Sequence, residues 1–516
     1  MSPDRPPRVG FSLAWRALVG CVLVLVITAA AVATAALREL DDILDPIRKP
    51  GRADIEIPEL DTPPPGGPRT FMILGSDKRK GADSYSPPRS DTILLARADP
   101  DTEAITVLSI PRDLKVDIPG HGKNKINAAF EIGGKKQGPA LVVKTIKKLF
   151  RDETGENFPI TNVMVMDYGA FRRAVNYIDG VYVDIDRHYF NDNSSGENYA
   201  TIDVNAGYQK LMGKDALDYV RYRHGDNDLV RAARQQDFLR QAKNAAGVRK
   251  LLSGGLGESR HLIQVFSRYF RVDKSLRSNK QVLSLLKLAI YLSAKNPKVT
   301  EVSFPAYDAP NPQLDSNLYV KSADLRKVYR RFMSLDKAAA EPATPENAEE
   351  PAEKPRKSKR EKSSGPEAVP GLEDTRREGE DLAVLADPKL KFPFYFPGVR
   401  ARGSSYSGDE LPRVYKLKDE TGKKHQAYRL VLRAPGIGEY YGVQGMTWKA
   451  PPILDNPDRV VRHGNRKLRL YYDGQHLRLV AWKTKKAAYW ISNTLTQSIG
   501  NAQMVEIAGS LRRLKQ

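Results

Sequence analysis

Arginine and aspartate are concentrated in one stretch of this sequence, residues 219–236. The charged side chains that it holds are Arg221, Arg223, Asp226, Asp228, Arg231 and Arg234. Arginine carries a permanent positive charge whose forked N–H groups pair with phosphate oxygens. The stretch therefore has the residue types of a phosphate-binding wall. A salt-bridged, solvated helix surface is the alternative interpretation.

The spacing within this stretch predicts an extended or loop segment that leads into a helix. Arg221 and Arg223 stand two positions apart, which places both side chains on one side of an extended chain. Asp226 or Asp228 is the expected N-cap of the helix. One helix face is predicted by the residues that recur at intervals of three and four, namely Asp228, Arg231, Arg234, Gln235 and Phe238.

Short apolar runs upstream predict the strands that would position this wall. They lie at residues 70–74, 92–97, 105–110, 160–166 and 181–185, and a helical pattern from 125 to 149 separates the third from the fourth. Runs of this length suit buried strands. The alternation of strands and helix predicts an α/β domain built in layers.

Polar motifs lie where these strands begin or end. They are Gly75-Ser76-Asp77, Arg89-Ser90-Asp91-Thr92, Pro111-Arg112-Asp113 and Lys125-Ile126-Asn127. In this order and spacing, with residues 219–236 last, they resemble the motifs of the LytR-CpsA-Psr family of bacterial cell-wall enzymes. The resemblance covers roughly residues 70–241. It implies a central mixed sheet flanked by helices in αβα layers.

Asp77 and Asp91 are the expected metal ligands. Both stand where short strands end or begin, so their carboxylates are expected to converge at one edge of the sheet. Mg²⁺ prefers oxygen ligands and keeps part of its water shell. The resemblance implies that these aspartates hold Mg²⁺, or Mn²⁺ in its place, against a pyrophosphate. Turn formation, which aspartate commonly serves, is the alternative role.

The remaining motif residues are assigned to the pyrophosphate. Arg112, Arg221 and Arg223 are the predicted catalytic cations, because fixed positive charge stabilises the charge that develops as the bond to the carrier breaks. Asp113 is expected to orient Arg112 or, alternatively, to act as general base. Further phosphate contacts are predicted for Arg89, Lys125, Arg231, Arg234 and Gln235. A surface salt bridge is the alternative for any single arginine.

The resemblance implies transfer of a polyprenyl-pyrophosphate-linked glycopolymer, of teichoic acid, capsule or arabinogalactan type, to peptidoglycan. A phosphodiester forms, polyprenyl phosphate is released, and pyrophosphate hydrolysis is an accessory activity. The isoprenoid requires an apolar tunnel whose residues the sequence does not assign. A formal net charge of +21 favours anionic partners without choosing among them. A non-catalytic binder of wall polymer or lipid pyrophosphate, and a nucleic-acid-binding regulator, are the alternatives.

An uncharged apolar run, residues 17–37, predicts a transmembrane helix. At ~1.5 Å per residue it is long enough for a hydrocarbon core of about 30 Å. Arg5, Arg8 and Arg16 precede it, which predicts a cytoplasmic N-terminus at residues 1–16 and an extracytoplasmic location for everything after Leu37. That topology argues against nucleic acid as a partner. Cleavage at the small residues 33–35, as in a signal peptide, is the alternative.

Composition divides the rest of the chain into further segments. Residues 38–68 are rich in proline and charge and predict a stiff stalk. Residues 69–335 are the predicted catalytic domain, and residues 336–382 predict a disordered linker. Residues 383–516 predict a small α+β domain of unassigned role, with a hairpin whose Asp473-Gly474 pair predicts a type I′ turn. The single cysteine, Cys21, excludes an intrachain disulfide.

Overall fold

The computed structural model of the chain describes residues 55–64, 66–76, 90–194, 200–222, 225–226, 228–243, 245, 271–277, 299–311, 315–334, 369–407 and 412–514. The predicted membrane segment, Asp77, Arg89 and Arg223 lie outside these residues, as do the side chains of Asp91 and Asp228. Within the part of the chain described, no helix is long and apolar enough to cross a bilayer.

The first domain lies within residues 55–334 and mixes strands with helices along the chain. Its strands are β1 (Arg69–Ser76), β2 (Ser90–Asp99), β3 (Ala104–Ile110), β4 (Lys115–Ile118), β5 (Gly122–Lys125), β6 (Asn162–Asp167), β7 (Val181–Ile185), β8 (Tyr189–Asn191), β9 (Ile202–Val204), β10 (Gly207–Leu211), β11 (Arg271–Val272), β12 (Val299–Val302), β13 (Tyr307–Asp308) and β14 (Leu318–Tyr319). Among its described residues, the helices are α1 (Ala128–Thr154), α2 (Tyr168–Tyr177), α3 (Gly213–Arg221), α4 (Asp228–Lys243) and α5 (Ser322–Phe332).

A six-stranded mixed sheet forms the centre of this domain. Its order is β11-β6-β1-β2-β3-β12. β1 runs parallel to β6, and β3 runs parallel to β12, while the other neighbours are antiparallel. The prediction of an α/β domain with a central mixed sheet is confirmed.

The side chains of the central strands alternate between the two faces of the sheet, as a period of two requires. Met72 and Leu74 of β1 are fully buried in one core cluster with Phe130 of α1. Ile73 and Gly75, on the other face, line a pocket together with residues of α3 and α4. Helices therefore lie on both faces of the sheet, in the αβα order that the resemblance implies.

The segment predicted as a stalk is folded against the first domain from Ile55 onward. Ile55 and Ile57 are buried in the same core as α1, and the Ile55 N–H donates to the carbonyl of Val272 at 3.3 Å. Asp61 accepts a hydrogen bond from Lys147 Nζ at 2.7 Å. The prediction of a stalk is therefore wrong for the described part of that segment, because its partners are distant in sequence and composition does not reveal them.

The second domain lies within residues 369–514. Its strands are β15 (Leu372–Asp374), β16 (Val399–Ala401), β17 (Ser405–Tyr406), β18 (Arg413–Lys418), β19 (Lys424–Arg433), β20 (Tyr440–Met446), β21 (Arg459–His463), β22 (Arg466–Asp473), β23 (His476–Lys483) and β24 (Ala488–Ser492), and its helices are α6 (Arg376–Ala386) and α7 (Asn501–Ser510). An eight-stranded antiparallel sheet in the order β17-β19-β20-β24-β23-β22-β21, with β18 on β19, forms its centre.

Folded structure in the second domain begins earlier than the predicted boundary at residue 383. β15 and most of α6 precede that residue. Ala383 and Ala386 of α6 are buried in the domain's core. The prediction of a disordered linker is wrong for residues 369–382, because the charged residues of α6 lie on its exposed side and give the segment the composition of a linker. Residues 335–368 lie outside those described.

The predicted hairpin is present as β22 and β23, but its turn is shifted by one residue. Asp473 pairs with His476, so the turn residues are Gly474 and Gln475. Gly474 has a φ of +56°, and Gln475 is not among the described residues with positive φ. A positive φ at the first turn residue alone is the pattern of a type II′ turn, so the type I′ prediction is wrong. The Asp473 side chain instead serves a contact between the domains.

The two domains share a buried interface. Tyr182 of β7 and Tyr208 of β10 pack in one apolar cluster with Leu479 and Trp490 of the second domain. The buried carboxylate of Asp184 accepts hydrogen bonds from Arg429 Nη1 at 3.1 Å and from Trp490 Nε1 at 3.0 Å. The second domain is therefore docked directly on β7 and β10.

Candidate functional site

A pocket opens at the edge of the central sheet where β1 ends and β2 begins. Because β1 is parallel to β6 while β2 is antiparallel to β1 and β3, the ends of β1, β3 and β6 meet the start of β2 at this edge. The pocket has an empty volume of about 1020 Å³, counting the part that is open to solvent. Its lining residues are Ile73, Gly75, Thr92, Leu94, Arg112, Met166, Asp167, Tyr168, Phe171, Leu217, Val220, Arg221, Arg231, Gln235, Phe238 and Leu239.

Arg112, Arg221 and Arg231 bring positive charge to the pocket. Arg112 follows β3, Arg221 is the last residue of α3, and Arg231 lies in the first turn of α4. The guanidinium of Arg221 lies 5.0 Å from the ring centre of Tyr168, a cation–π contact that limits its movement. The extended segment predicted at Arg221 is wrong, since α3 continues through this residue. The fold nevertheless gathers cations from separate elements at one place.

The rest of the lining is mostly apolar. Strand residues Ile73 and Leu94 form the floor, and the walls come from α2, α3 and α4 through Phe171, Leu217 and Phe238. A pocket with arginines in one part and aliphatic and aromatic side chains in the rest matches an amphiphile with an anionic head. These are residues that the sequence could not separate from ordinary core.

A β-bulge marks the start of β2 beside the pocket. Gly75 pairs with Thr92 and Ser76 pairs with Ser90, so Asp91 is an extra residue on β2. Gly75 allows close approach of the strands here, because an added Cβ would lie 3.0 Å from the Cβ of Thr92. Bulges are frequent next to active sites, where they redirect the chain. The backbone thus puts Asp91 at the edge of the pocket.

The lining is compatible with a hard divalent cation but does not by itself supply a full ligand set. Asp167 is the acidic residue among the lining residues, and its Oδ1 accepts the Ala170 N–H at 2.7 Å as the N-cap of α2. In the described part of the chain no three metal-ligating side chains cluster. Carboxylates from Asp91 and from Asp77, which follows Ser76 in sequence, have the oxygen chemistry that Mg²⁺ needs at this edge. Their role stays a prediction.

Asp113 and Lys125 lie beside the pocket and are not part of its lining. The carboxylate of Asp113 contacts Lys125 Nζ at 2.9 Å and Arg112 Nε at 3.4 Å. Lys125 also donates to the carbonyl of Ser316 at 3.1 Å. These contacts suit the expected role of Asp113 in orienting Arg112. Action as a general base would compete with both ion pairs.

Helix α4 separates residues that were predicted to share one face. Arg231 and Gln235 line the pocket. Arg234 has no exposed surface, and its Nη1 donates to the carbonyls of Tyr219 at 3.1 Å and Tyr222 at 2.8 Å. The structure therefore does not bring Arg234 to the pocket, and its guanidinium is committed to protein groups instead of phosphate.

A buried polar cluster lies behind the pocket, at the connection between α3 and α4. Asp226 accepts hydrogen bonds from Arg234 and, at 2.6 Å, from Arg187 Nη2. Next to it, Asp186 accepts the hydroxyl of Tyr189 at 2.6 Å. Burial raises the pKa of Asp186, although the Tyr189 hydrogen bond and the nearby arginines act in the opposite direction. The cluster ties this connection to the end of β7.

Asp167 and Tyr168 are pocket residues that the sequence interpretation missed. They follow the apolar run of β6, whose parallel neighbour β1 carries a predicted motif at its end. Carboxyl ends of parallel strands meet at one edge of a sheet, which is where ligands bind in α/β folds. If the parallel pairing of β1 with β6 had been inferred, the position of Asp167 and Tyr168 at the end of β6 would have identified them as candidate pocket residues.

A model of the LytR_cpsA_psr family matches residues 44–329 of this chain. The chain belongs to the LytR-CpsA-Psr family. The pocket and its lining fall within the matched residues, and the second domain lies beyond them.

Relatives with curated names are about one-third identical to this chain over the residues that align. TagT of Bacillus subtilis (strain 168), named a polyisoprenyl-teichoic acid–peptidoglycan teichoic acid transferase, is 32% identical over 171 residues, covering 33% of this chain and 50% of TagT. TagU of Oceanobacillus iheyensis, named likewise, is 33% identical over 180 residues, covering 34% of this chain and 51% of TagU. The chain therefore spans about half the length of the curated relatives it matches. A solved structure titled TagT bound to LIIa-WTA aligns at 23% identity with a TM-score of 0.39, over 55% of this chain and 97% of that one.

Proposed function

We propose that this LytR-CpsA-Psr protein transfers a glycopolymer from a polyprenyl-pyrophosphate carrier to peptidoglycan, with formation of a phosphodiester and release of polyprenyl phosphate. Two relatives are named as transferases of teichoic acid to peptidoglycan, which supports the reaction class. Teichoic acid, capsule and arabinogalactan polymers are the substrate classes to compare.

The amphiphilic pocket is the observation that carries this proposal. Arg112, Arg221 and Arg231 meet there beside a predominantly apolar wall. A polyprenyl pyrophosphate has the same division, since its head carries negative charge and its tail is a hydrocarbon. Phosphoryl transfer depends mainly on positioning and on stabilising charge, so a site without a protein nucleophile is chemically sufficient.

The proposed reaction is a displacement at phosphorus. A hydroxyl of peptidoglycan attacks the phosphorus that bears the sugar, and the bond from that phosphorus to the bridging oxygen breaks. The electron pair leaves with polyprenyl phosphate, and the hydroxyl proton passes to a base. Arg112, Arg221 and Arg231 would stabilise the charge that grows on the leaving phosphate, because their positions are fixed before the reaction. Asp113 would hold Arg112 in place through its 3.4 Å contact.

Asp77 and Asp91 are the residues proposed to hold Mg²⁺, with Mn²⁺ as a substitute. A divalent cation supplies neutralisation of phosphate charge and alignment of the two phosphates. Residues 17–37 are proposed as a single membrane-spanning anchor that holds the domain on the extracytoplasmic side of the membrane, next to the lipid carrier.

The proposal is tested with the full chain in detergent, a polyprenyl-pyrophosphate glycan, Mg²⁺ and peptidoglycan oligomers. The expected result is a phosphodiester-linked product together with polyprenyl phosphate. Arg231→Ala should lose this activity, whereas Arg172→Ala, an exposed arginine on α2 outside the pocket, is the matched control. Absence of both transfer and hydrolysis with the wild-type protein would overturn the enzymatic proposal. Tight donor binding without turnover would instead identify a non-catalytic binder.

A further inference from the structure

We infer that the second domain is a working part of the catalytic unit: it holds α4 at both ends and thereby positions Arg231 and Gln235 in the pocket. The catalytic consequence rests on the proposed function, while the mechanical coupling does not. Four sets of contacts carry the inference.

The first contact lies at the start of α4. Gly438, in the loop between β19 and β20, has a φ of +75°. A Cβ added to it would lie 2.8 Å from Oδ1 of Asp226 and 3.4 Å from Cγ1 of Val230. The loop of the second domain therefore rests directly on Asp226, just before α4, and on Val230 in the first turn of α4, and the absence of a side chain at Gly438 makes this approach possible.

The second contact passes through Asp226. Its side chain is fully buried and is held by both Arg187 and Arg234. Tyr440, at the start of β20, places its ring 5.0 Å from the guanidinium of Arg187. Arg234 in turn donates hydrogen bonds to the carbonyls of Tyr219 and Tyr222, at the end of α3. The connection from α3 to α4 is thus enclosed between the first domain and this loop.

The loop that makes these contacts is itself fixed inside the second domain. Glu439 is only 7% exposed, and its carboxylate accepts hydrogen bonds from Thr496 Oγ1 at 2.6 Å and Ser498 Oγ at 3.3 Å. The Ala434 N–H donates to the Glu439 carbonyl at 2.9 Å and closes the loop. Movement of Gly438 away from Asp226 would disturb these bonds, so the loop is a rigid support.

The fourth contact lies at the other end of α4. Arg240 Nη1 lies 3.4 Å from Oδ2 of Asp473, next to the turn of the β22–β23 hairpin. Oδ1 of Asp473 accepts the N–H of Glu301 in β12 at 2.8 Å. Asp473 is only 3% exposed, so these bonds are shielded from solvent. The hairpin therefore joins the last turns of α4 to the edge of the central sheet.

Between these two anchors, α4 presents Arg231 and Gln235 to the pocket. A shift of about 1 Å in a positioning element can cost up to ~100-fold in rate, because phosphoryl groups must be held in a narrow geometry. The second domain lies outside the family match at 44–329, so in this chain a domain added to the family fold supports the phosphate-binding helix.

Two glycine substitutions test the coupling with matched backbone strain. Gly438→Ala puts a methyl group against Asp226, whereas Gly422→Ala, at a φ of +86°, meets nothing within 4 Å. Both variants carry a similar cost for the left-handed conformation. We expect kcat/KM for the lipid donor to fall by about tenfold or more in Gly438→Ala, with KM for the acceptor unchanged. Gly422→Ala should keep the wild-type values.

Tyr440 supplies a second pair of variants with a conservative rescue. Tyr440→Phe keeps a ring beside Arg187 and should keep activity, while Tyr440→Ala should lose it as Gly438→Ala does. A purely structural role would instead lower the melting temperature of Gly438→Ala below that of Gly422→Ala and leave kcat/KM for the donor and KM for the acceptor at their wild-type values. Equal values of kcat/KM for the lipid donor in Gly438→Ala and Gly422→Ala would overturn the inference.

Amide hydrogen exchange separates this inference from the proposed function. Peptides covering residues 228–243 should exchange faster in Gly438→Ala than in Gly422→Ala, whether or not the wild-type protein turns over the donor. Unchanged exchange in these peptides would overturn the coupling even if transfer is observed. Faster exchange with no wild-type transfer would uphold the coupling and refute the proposed reaction.

Discussion

Neighbouring residues of α4 show how a position around a helix decides the use of a side chain. Arg231 and Gln235 line the pocket. Arg234, adjacent to Gln235 in sequence, is instead fully buried and donates hydrogen bonds to backbone carbonyls. Spacings of three and four select a broad stripe on a helix, and that stripe includes the flank where Arg234 lies. The sequence therefore predicted which residue types gather, and tertiary packing decided which of them line the pocket.

Lysine substitutions distinguish the two uses of arginine. Arg221→Lys and Arg231→Lys keep the charge and lose the fork, so turnover should fall by roughly ten- to a hundredfold, the equivalent of about 1.5–3 kcal/mol for a charge-assisted contact. Their melting temperatures should stay near that of the wild type. Arg234→Lys should instead lower the stability by about 1–3 kcal/mol, because buried carbonyls lose their donors. Full turnover in Arg231→Lys would remove this residue from the site.

Asp77→Ala and Asp91→Ala test the predicted metal ligands. Each should abolish Mg²⁺-dependent turnover and weaken Mg²⁺ binding in calorimetry, because a hard cation loses a carboxylate ligand. Asp152→Ala, on the exposed side of α1 where Asp152 contacts Lys148 at 2.5 Å, is the control. Wild-type dependence on Mg²⁺ in either variant would show that the aspartate is not a ligand.

At the scale of elements, the strands were predictable and the segments at the edges of the domain were not. β3 and β7 lie within a residue of the predicted runs, since buried strands show as short apolar runs whatever their partners are. Ile55 and Ile57 sit in a sequence rich in proline and charge, and only their burial against α1 reveals them as core. The pairing of β1 with β6 was also hidden, and with it the place of Asp167 in the pocket.

The segment before β1 should therefore contribute to stability. Asp61 accepts bonds from Lys147 Nζ and the Ile160 N–H at 2.7 and 2.8 Å, so Asp61→Ala should lower the free energy of unfolding by about 1–3 kcal/mol. Glu59→Ala removes a more exposed pair with Lys144 and should cost no more than ~1 kcal/mol. Chemical denaturation measures both, and equal small losses would show that the contacts of Asp61 do not stabilise the fold.

At the scale of the whole molecule, the docking of the two domains depends on buried tyrosines. The hydroxyl of Tyr182 donates to the carbonyl of Lys418 at 2.8 Å, and that of Tyr415 donates to the carbonyl of Tyr208 at 3.0 Å. The interface thus places polar hydroxyls on carbonyls across the domain boundary. No periodicity in the sequence predicts this contact, because its members lie more than 200 residues apart.

Alkaline pH should weaken this interface. Burial raises the pKa of Tyr182 to about 12, above the value of about 10 for an exposed tyrosine. A raised folded-state pKa gives stability that is fully present below pH ~10 and is lost as the pH rises from ~10 through ~12. Tyrosinate absorption and fluorescence should therefore report a transition in this window. Tyr182→Phe should show a shallower loss of stability there, and an identical slope would contradict the assignment.

The central claim is that a sugar-bearing phosphate moves from a lipid carrier to peptidoglycan, and isotope labelling tests it most directly. Donors are prepared with radioactive phosphorus either in the phosphate attached to the sugar or in the phosphate attached to the prenyl chain. Full-length protein, Mg²⁺ and peptidoglycan oligomers complete the reaction. The account predicts that the first label appears in the peptidoglycan product and that the second leaves with polyprenyl phosphate. Retention of both labels on the lipid, with the sugar transferred alone, would contradict it.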